Sequence, residues 1–504
     1  MRWTSIVLAI ALAASVAACQ QPAPAPTART QAIAWREGDV DDAFAEARES
    51  GKPVLLYWGA KWCPPCNQMK TTLFQDPAFI AQTRNFVPVH LDGDTAGAQR
   101  WGERFNITGY PTVIVLRPDG SEVTRLSGVA TGLPDVLRVA ASRTTSIDAL
   151  LDKVETNASA LSPDEWQLMA GFDWLNDPRL DHARAVNLLD KLTAAAPEGP
   201  YKRRFALLAL IGGTDKGPDG TYALTPAQTA QLEQVLPAIL ASPAEVAASR
   251  DDLSYSIPDL IVALPDTRRT TLGASLTKAL DTVYGDAGLP IPDRLATVNA
   301  DIVLAKADGG KVSRAVLAKV RTRVAWADGA ATEAMVRQSV ISNAADLLHD
   351  AGDDAGAKTL LNAELKRSAA PYYYMLDLAS IAEDEKDGPA AIGWARKAYE
   401  TSEGPATRVQ WAIEYSKTVL RQAPGDKAAV EASAQAVIDE LGQNSGSYYQ
   451  RTRLKVAAWG RLVHAWSDAH DGNTVFARLD ARMAGVCAKE GEAAATCRKW
   501  AQAA

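Results

Sequence analysis

The chain has 504 residues, more than one hydrophobic core usually supports, so two or more domains are expected. Hydrophobic residues make up 47% of it, a value typical of globular proteins that argues against long disordered tracts beyond the N-terminus. Its 53 basic and 60 acidic residues are interspersed and give a net charge of −7, so the charge pattern gives no support to nucleic-acid binding.

The N-terminus has the features of a targeting signal. Arg2 precedes a short apolar run over residues 6–16, which is too short to span a bilayer as a settled helix. The run ends in Val-Ala-Ala-Cys at residues 16–19, and small residues before a cysteine resemble the lipobox of bacterial lipoproteins. That resemblance implies removal of residues 1–18 and attachment of lipid to Cys19. The alternative is an ordinary signal peptide cleaved near the same point, which would leave Cys19 without lipid.

The residues after this cysteine indicate where the protein is expected. Gln20 rather than aspartate follows Cys19, which in enterobacterial lipoproteins implies release to the outer membrane. Residues 19–31 are rich in proline, alanine and glutamine and predict a flexible tether between the lipid and the first domain. We therefore expect a protein of the bacterial periplasm that is anchored by lipid to the outer membrane.

Residues 32–142 alternate between helix and strand signals. A helical pattern over 41–50, with Gly51 as its stop, precedes a continuous apolar run at 53–58 that is typical of a buried strand. This order of elements predicts an α/β domain with a mixed central sheet and helices on both faces. The later elements are a strand at 86–91, a helix at 96–105, a hairpin of strands 112–116 and 122–126 around the turn at 118–120, and a helix at 133–141.

From residue 146 onward the strand signals vanish, and alanine and leucine recur at helical spacing. Ser162, Thr225 and Ser242 are each followed by proline at the first helical position and by glutamate or glutamine at the third, the signature of a helix start. We therefore predict an all-helical domain over residues 146–504, and we expect it to fold without the preceding domain.

A weak internal period marks part of this helical region. Residues 354–361 match residues 388–395 at an offset of 34, and each segment follows a helical stretch. An earlier unit is expected at 166–175 plus 182–196. The period resembles that of tetratricopeptide helix pairs, although the consensus tryptophan, glycine and tyrosine positions are mostly unmet. A helical-hairpin array and an irregular, alanine-rich helical domain both fit this pattern.

A pair of cysteines three residues apart carries the clearest chemical signal. Cys63 and Cys66 lie in a Trp-Cys-Pro-Pro-Cys motif directly after the predicted strand at 53–58, where a helix starts. A bare pair of this spacing also occurs in metal sites and structural disulfides. Residues 57–66, together with Gly-Tyr-Pro-Thr at 109–112, resemble the active-site stretch and the cis-proline loop of the thioredoxin superfamily, whose tryparedoxin and nucleoredoxin members share the motif. The resemblance covers about residues 32–142 and implies a thioredoxin-like fold and thiol–disulfide exchange.

The two cysteines are expected to have different roles. Cys63 would lie at a helix N-terminus, where free N–H groups and the helix dipole stabilise a thiolate and lower its pKa from roughly 8.5. We expect it to be the exposed nucleophile that attacks a substrate disulfide. Cys66, one turn further along the helix, would be buried and would resolve the mixed disulfide.

The neighbouring residues would shape this site. Pro64 and Pro65 limit the backbone freedom between the two sulfurs, and Trp62 offers a flat apolar surface beside the nucleophile. The family resemblance implies that Pro111 is cis and faces the cysteines, which leaves the backbone of Tyr110 free to pair with a substrate strand.

One position departs from the family pattern. Thioredoxins themselves place a buried aspartate six residues before the first cysteine, where it helps to deprotonate the second; this chain has Tyr57 there, as tryparedoxin-like sequences do. The identity of the base that serves Cys66 is therefore open, with water or a carboxylate from elsewhere as the alternatives.

The remaining two cysteines predict a structural feature. On one continuous helix, Cys487 and Cys497 would lie about 15 Å apart, too far to form a disulfide. Gly491 between them permits a turn, so we predict a disulfide that staples a hairpin. Free buried thiols or a second redox pair are the alternatives.

Other candidate ligands have simpler explanations. A copper site formed by Cys63, Cys66 and His90 is conceivable, but single histidines are more often packed or at the surface, so we expect no bound metal and no cofactor. The run of three tyrosines at 372–374 is expected to be half core and half surface rather than a ligand site.

These patterns together predict an envelope thiol–disulfide oxidoreductase that reduces or isomerises protein disulfides. Its partners would be disulfide-bonded envelope proteins, with a membrane-embedded thiol relay as the electron donor that the superfamily implies. The alternative is a scaffold or partner-binding lipoprotein whose helical domain is the functional part and whose redox domain is an accessory.

Overall fold

The computed structural model describes residues 32–129, 132–141, 145–217, 220–307, 310–443 and 448–502. The predicted signal segment, the tether and Cys19 lie outside these residues. Among the described helices, none combines the length and the apolar character needed to cross a bilayer.

The first part of the chain forms a five-stranded sheet in the order β1-β3-β2-β4-β5. Strands β1 and β2 run parallel to β3, whereas β4 runs antiparallel to both β2 and β5, so the sheet is mixed as predicted. The strands are β1 (Arg36–Glu37), β2 (Val54–Gly59), β3 (Val87–Asp92), β4 (Thr112–Leu116) and β5 (Glu122–Ser127). The helices are α1 (Val40–Ser50), α2 (Pro64–Thr71), α3 (Pro77–Thr83), α4 (Ala96–Arg104) and α5 (Leu133–Ala140).

Strand β2 is the centre of this sheet, and all six of its residues are buried. Successive side chains of a strand point to opposite faces. Leu55 and Tyr57 therefore pack into the core on one face, and Leu56 and Trp58 pack into a separate core on the other. The continuous apolar run that predicted a buried strand thus reflects a sheet that is covered on both sides.

The described residues from 145 onward form helices and short 3-10 turns joined by loops, and their only β-pairing is one isolated bridge between Lys216 and Tyr222. The helices up to residue 306 are α6 (Ile147–Asn157), α7 (Pro163–Ala170), α8 (His182–Ala195), α9 (Pro200–Gly213), α10 (Pro226–Leu240), α11 (Pro243–Ala248), α12 (Arg250–Tyr255), α13 (Ile257–Val262), α14 (Asp266–Gly285), α15 (Ile291–Ala296) and α16 (Asn299–Lys306). The later ones are α17 (Arg314–Ala330), α18 (Ala334–Asp350), α19 (Asp354–Glu364), α20 (Pro371–Asp384), α21 (Gly388–Thr401), α22 (Arg408–Gln422), α23 (Lys427–Gln443), α24 (Gln450–Ala469), α25 (Asn473–Cys487) and α26 (Ala494–Cys497).

The predicted helix starts are present as capping interactions. Ser162 and Thr225 each form a complete capping box, in which the side chain accepts from the third helical N–H and that residue's side chain accepts from the cap backbone. Ser242 forms one half of this arrangement, since it accepts from the N–H of Glu245.

The 34-residue offset corresponds to two helical hairpins. Helices α18 and α19 pack together, as do α20 and α21. Ala357 and Ala391, which are equivalent at this offset, are both fully buried. In the earlier predicted unit, the first helix ends at Ala170 rather than at residue 175, and Gly171 follows it.

The helical region is packed directly onto the sheet domain. One hydrophobic core contains Leu133 and Val136 of α5 together with Ile147 of α6, Trp166 of α7 and Phe205 of α9. The change in sequence pattern near residue 146 therefore lies inside a shared core rather than at a gap between two cores.

Candidate active site

The two motif cysteines lie at the junction between β2 and α2, where they form a disulfide with a Cα–Cα distance of 5.3 Å. Cys63 is the N-cap residue of α2, and its sulfur accepts a hydrogen bond of 3.2 Å from the backbone N–H of Cys66. Pro64 and Pro65 occupy the start of the helix, where a missing N–H costs little. This geometry directs the free N–H groups of a helix terminus at Cys63, as a thiolate requires.

The second family motif lies beside the first. The peptide bond between Tyr110 and Pro111 is cis, and Pro111 is buried. The strand β4 that follows begins at Thr112, which pairs with Trp58 near the end of β2. The antiparallel pairing therefore brings the start of β4 to the end of β2 from which the Cys63 loop departs.

Trp62 is held in place by a carboxylate that the motif did not reveal. Its indole Nε1 donates a hydrogen bond of 3.0 Å to Oδ1 of Asp94, which follows β3. The hydroxyl of Thr407 donates to the same oxygen. Burial raises the pKa of Asp94, and these two hydrogen bonds partly offset that effect. The position of Asp94, just beyond the end of a buried strand next to the motif strand, is the sequence signal that would have indicated it.

Cys63 is buried, and the prediction that it is exposed is wrong for this arrangement. It is 2% exposed, and Cys66 is fully buried as predicted. The reason is tertiary, because Tyr372 of α20 and Trp411 of α22 pack in one apolar cluster with the disulfide. The Trp411 ring lies edge-on to Trp62 at 5.7 Å between centroids. We call Tyr372 and Trp411 the aromatic cover.

Polar contacts surround this cover. Lys61 and Glu403 form an exposed ion pair across the two parts of the chain. The Gln338 side chain on α18 donates to the backbone oxygen of Trp62 at 3.4 Å. Gln68 of α2 donates to Asp293 of α15. The helical region thus contacts the motif on several sides.

Two aromatic groups at the site also contact a cation from the helical region. The Arg451 guanidinium lies 5.8 Å from the ring centroid of Trp62 and 4.7 Å from that of Tyr110. Both distances are within the range of a cation–π contact. Arg451 belongs to α24, which packs against α4.

The position of the family's buried aspartate is filled by a packed aromatic ring. Tyr57 is buried on β2, and among the described residues its hydroxyl has no hydrogen-bond partner. Burial raises the pKa of Tyr57 well above its ordinary value, so it is a poor base for Cys66. Its ring stacks on His90 at 5.3 Å, and Nδ1 of His90 lies 2.7 Å from the Glu37 carboxylate. His90 is therefore engaged with Glu37 and Tyr57.

Two further predictions concern the C-terminal cysteines and the run of three tyrosines at 372–374. Cys487 and Cys497 form a disulfide with a Cα–Cα distance of 5.4 Å, which joins the end of α25 to α26 after a turn at Gly491 with φ +54°. The tyrosine run is more buried than expected, because Tyr372 and Tyr374 are both in the core. Helix α20 packs against α18, α19 and α21, so it buries a wider face than a helix at the protein surface does.

Comparisons with known proteins agree with this geometry. A family model described as a thioredoxin-like domain matches residues 40–133. The Thiol:disulfide interchange protein DsbD 1 of Pseudomonas aeruginosa is 34% identical over 110 residues, which cover 21% of this chain and 19% of that protein. The DsbD proteins of Pseudomonas fluorescens and Vibrio vulnificus are 31% identical over 86 residues and 30% identical over 100 residues; these matches cover 17% and 19% of this chain, and 15% and 17% of those proteins. The chain thus spans about a fifth or less of the length of these relatives.

The matched segment contains the disulfide, the cis-proline loop and the sheet that positions them. These features together support a thiol–disulfide oxidoreductase. Residues 40–133 are therefore a thioredoxin-like domain with a Cys63–Cys66 redox pair, and a largely helical region follows it.

Proposed function

We propose that this protein is an envelope thiol–disulfide oxidoreductase that reduces or isomerises protein disulfides through Cys63 and Cys66. The observation that supports this most directly is the Cys63–Cys66 disulfide at the N-terminus of α2, beside a cis-proline loop. In this proposal residues 32–142 are the redox domain and residues 146–504 are a helical domain that controls access to it.

The proposed reaction begins with the reduced pair. The Cys63 thiolate attacks one sulfur of a substrate disulfide, so the substrate S–S bond breaks, a Cys63–substrate bond forms and the other substrate sulfur leaves as a thiolate. Cys66 then loses its proton and attacks the Cys63 sulfur, which releases the reduced substrate and restores the Cys63–Cys66 disulfide. A dithiol donor returns two electrons and two protons. In isomerisation the released substrate thiolate instead attacks another disulfide of the same substrate, and the thiolate displaced there attacks the Cys63–substrate bond, which forms a new substrate disulfide and restores the Cys63 thiolate.

The sequence and the relatives also support a proposal for the location and the partners. The names of the relatives describe thiol:disulfide interchange, and the lipobox-like segment supports export with lipid on Cys19 at the outer membrane. We therefore propose disulfide-bonded envelope proteins as substrates and a membrane thiol relay as the electron donor. Mass spectrometry of the mature N-terminus tests the anchor, and a soluble product without lipid would contradict it.

The aromatic cover adds a step to this scheme. Cys63 is 2% exposed, so a disulfide in a folded protein reaches its sulfur only after Tyr372 and Trp411 move away from Trp62. Thiol–disulfide exchange at Cys63 therefore requires that the aromatic cover of the helical domain move away from the redox domain.

Trapping of mixed disulfides tests the proposed function. In a full-length Cys66→Ala variant the resolving thiol is absent, so Cys63 should remain bonded to its substrates. We expect envelope proteins that contain disulfides to be recovered through reducible adducts, identified by mass spectrometry. The variant Cys63→Ala/Cys66→Ala is the control and should recover none. Equal recovery from both variants would contradict a Cys63 nucleophile.

The buried position of Cys63 also favours a second candidate, in which the helical domain is a scaffold and the redox pair is an accessory. The full-length Cys63→Ala variant separates the two functions in cells. Loss of the cellular role supports the enzyme, and full retention supports the scaffold.

A further inference from the structure

The helical region places a charged side chain next to both redox motifs. Arg451 is in the first turn of α24, and its guanidinium lies over the rings of Trp62 and Tyr110. Trp62 directly precedes Cys63, and Tyr110 directly precedes the cis Pro111. A cation from outside the thioredoxin-like domain therefore contacts one residue of each motif, the residue before Cys63 and the residue before Pro111.

Among the described residues, this cation pairs with no anion in the disulfide form of the site. Within the described ranges, no carboxylate lies within ion-pair distance of Arg451, and its Nε atom is buried without a hydrogen-bond partner. Its Nη2 donates 2.7 Å to the neutral side chain of Gln410. Asp94 attracts it electrostatically, but Oδ1 of that carboxylate is already bonded to Trp62 and Thr407. A partly buried charge without an anionic partner is costly, and arginine does not escape the cost by losing its proton.

The aromatic cover also brings two buried hydrogen-bond donors to the site. Tyr372 is 1% exposed and Trp411 is 3% exposed, and both belong to the apolar cluster that contains Cys63. In the part of the chain that the structure describes, the Tyr372 hydroxyl and the Trp411 Nε1 have no hydrogen-bond partner. Among the described residues, the closed site therefore holds a positive charge without an anionic partner and two aromatic donors without an acceptor. Reduction of the disulfide supplies one, because an ionised Cys63 is both an anion and an acceptor.

We propose that Arg451 is a positioning residue of the redox site, supplied by the helical region, whose charge stabilises the Cys63 thiolate. The proposal rests on the assignment of Cys63 as the nucleophile. A dithiol donor adds two electrons and two protons to the Cys63–Cys66 bond and is itself oxidised to a disulfide. Cys63 then releases its proton to solvent and remains as a thiolate near Arg451, while Cys66 keeps its proton.

Other charged groups near the site set the background for this effect. Asp94 opposes a thiolate, and Lys61 favours one, although Lys61 is paired with Glu403. On α24 itself, Arg453 lies 2.7 Å from the carboxylate of Glu103 and is therefore neutralised. Further ionisable groups that face this region are Lys70 on α2, Tyr110 on the cis-proline loop, Tyr372 on α20 and Lys455 on α24.

The test compares Arg451→Met with Arg453→Met in the full-length, reduced protein. Both changes remove an arginine of α24 that contacts the thioredoxin-like domain, but Arg453 has the carboxylate of Glu103 as its partner, whereas Arg451 has none within the described ranges. The measurement is the pH dependence of alkylation at Cys63, with the labelled site assigned by mass spectrometry. We expect Arg451→Met to raise the pKa of Cys63 by about one unit, because a nearby opposite charge lowers a thiol pKa by roughly that amount or more. Arg453→Met should leave the pKa of Cys63 unchanged. Arg451→Lys keeps the positive charge, so it should leave the pKa of Cys63 close to that of the parent.

A second readout is the equilibrium with glutathione. Loss of the thiolate stabilisation should make the disulfide harder to reduce, so the reduced-to-oxidised ratio at fixed glutathione should fall about tenfold in Arg451→Met. A Cys63 pKa equal to that of the parent in a folded Arg451→Met protein would overturn the proposal. If that variant does not fold, Arg451→Gln takes its place, since it keeps a polar group toward Gln410 without the charge. No substrate enters these measurements, so a failed trapping experiment leaves their result intact.

Discussion

Asp377 in the helical region illustrates how burial of a single residue makes stability depend on pH. The Ser342 hydroxyl donates a hydrogen bond of 2.6 Å to its carboxylate, and Asp346 lies close enough to repel its charge. Burial first, and Asp346 second, raise the pKa of Asp377 from 3.8 to about 8. The folded state therefore holds a proton that the unfolded chain releases near pH 4. The stabilisation from this protonated carboxyl is complete below pH 4 and is lost as the pH rises through about 8.

The variant Asp377→Asn tests this residue. Because asparagine stays neutral at every pH, the variant should gain stability relative to the parent as the pH increases from 5 to 8. One unit of pKa difference corresponds to about 1.4 kcal/mol, so a gain of at least that size is expected at pH 8 in urea unfolding. Glu400→Gln, an exposed carboxylate on the neighbouring helix α21, is the control and should follow the parent curve. Parallel curves for the parent and Asp377→Asn would show that Asp377 is ionised in the folded state.

Elements that are coded locally agree best with the sequence analysis. The capping residues Ser162 and Thr225, the stop at Gly51 and the hairpin turn at 118–120 each act through neighbours in the chain, and the structure has them as predicted. Strand β1 was not predicted, since two residues carry no periodic pattern. Helix α3 was not predicted either, although Asp76 caps it by accepting from the N–H of Phe79.

The helical hairpins depend on small residues where their helices meet. Ala357 is fully buried on α19, and Ala355 is exposed on the same helix. Ala357→Leu adds three heavy atoms to a closely packed contact, so it should destabilise the protein by about 1–3 kcal/mol in denaturant unfolding. Ala355→Leu should change the stability by less than about 0.5 kcal/mol. Equal effects of the two substitutions would mean that the contact between the paired helices is loose.

At the scale of the whole molecule, the helical region and the sheet domain share a core and enclose the redox pair. Ile147 and Trp166 pack with residues of α5, so a fragment of residues 146–504 would expose an apolar face. The expectation that this region folds by itself is therefore revised: we now expect such a fragment to be less stable than the full chain. The same packing places the aromatic cover over Cys63, so access to this cysteine also depends on the contact between the two regions.

Removal of the Trp411 side chain tests how the cover limits access. In the reduced full-length protein, Trp411→Ala should increase the rate of Cys63 alkylation by about tenfold, the effect of about 1.4 kcal/mol on an opening equilibrium. Trp466→Ala, which removes a buried indole from a different core, controls for general destabilisation. If both variants react equally fast, access to Cys63 depends on global unfolding rather than on the cover.

The sequence by itself determined the α/β domain, its Cys63–Cys66 pair and the helical character of the remainder, whereas the cis-proline loop was predicted from the family resemblance of residues 109–112. These features depend on periodicity, capping and short motifs, which act between residues close in the chain. Tertiary structure decided that Cys63 is buried, that Trp62 is held by Asp94 and Thr407, and that Arg451 lies beside the site. These contacts join residues up to several hundred positions apart, and no local pattern encodes which helix face will cover a given sulfur. The chemistry of the site is thus coded locally, whereas its access and its charge balance arise only when the two regions pack together.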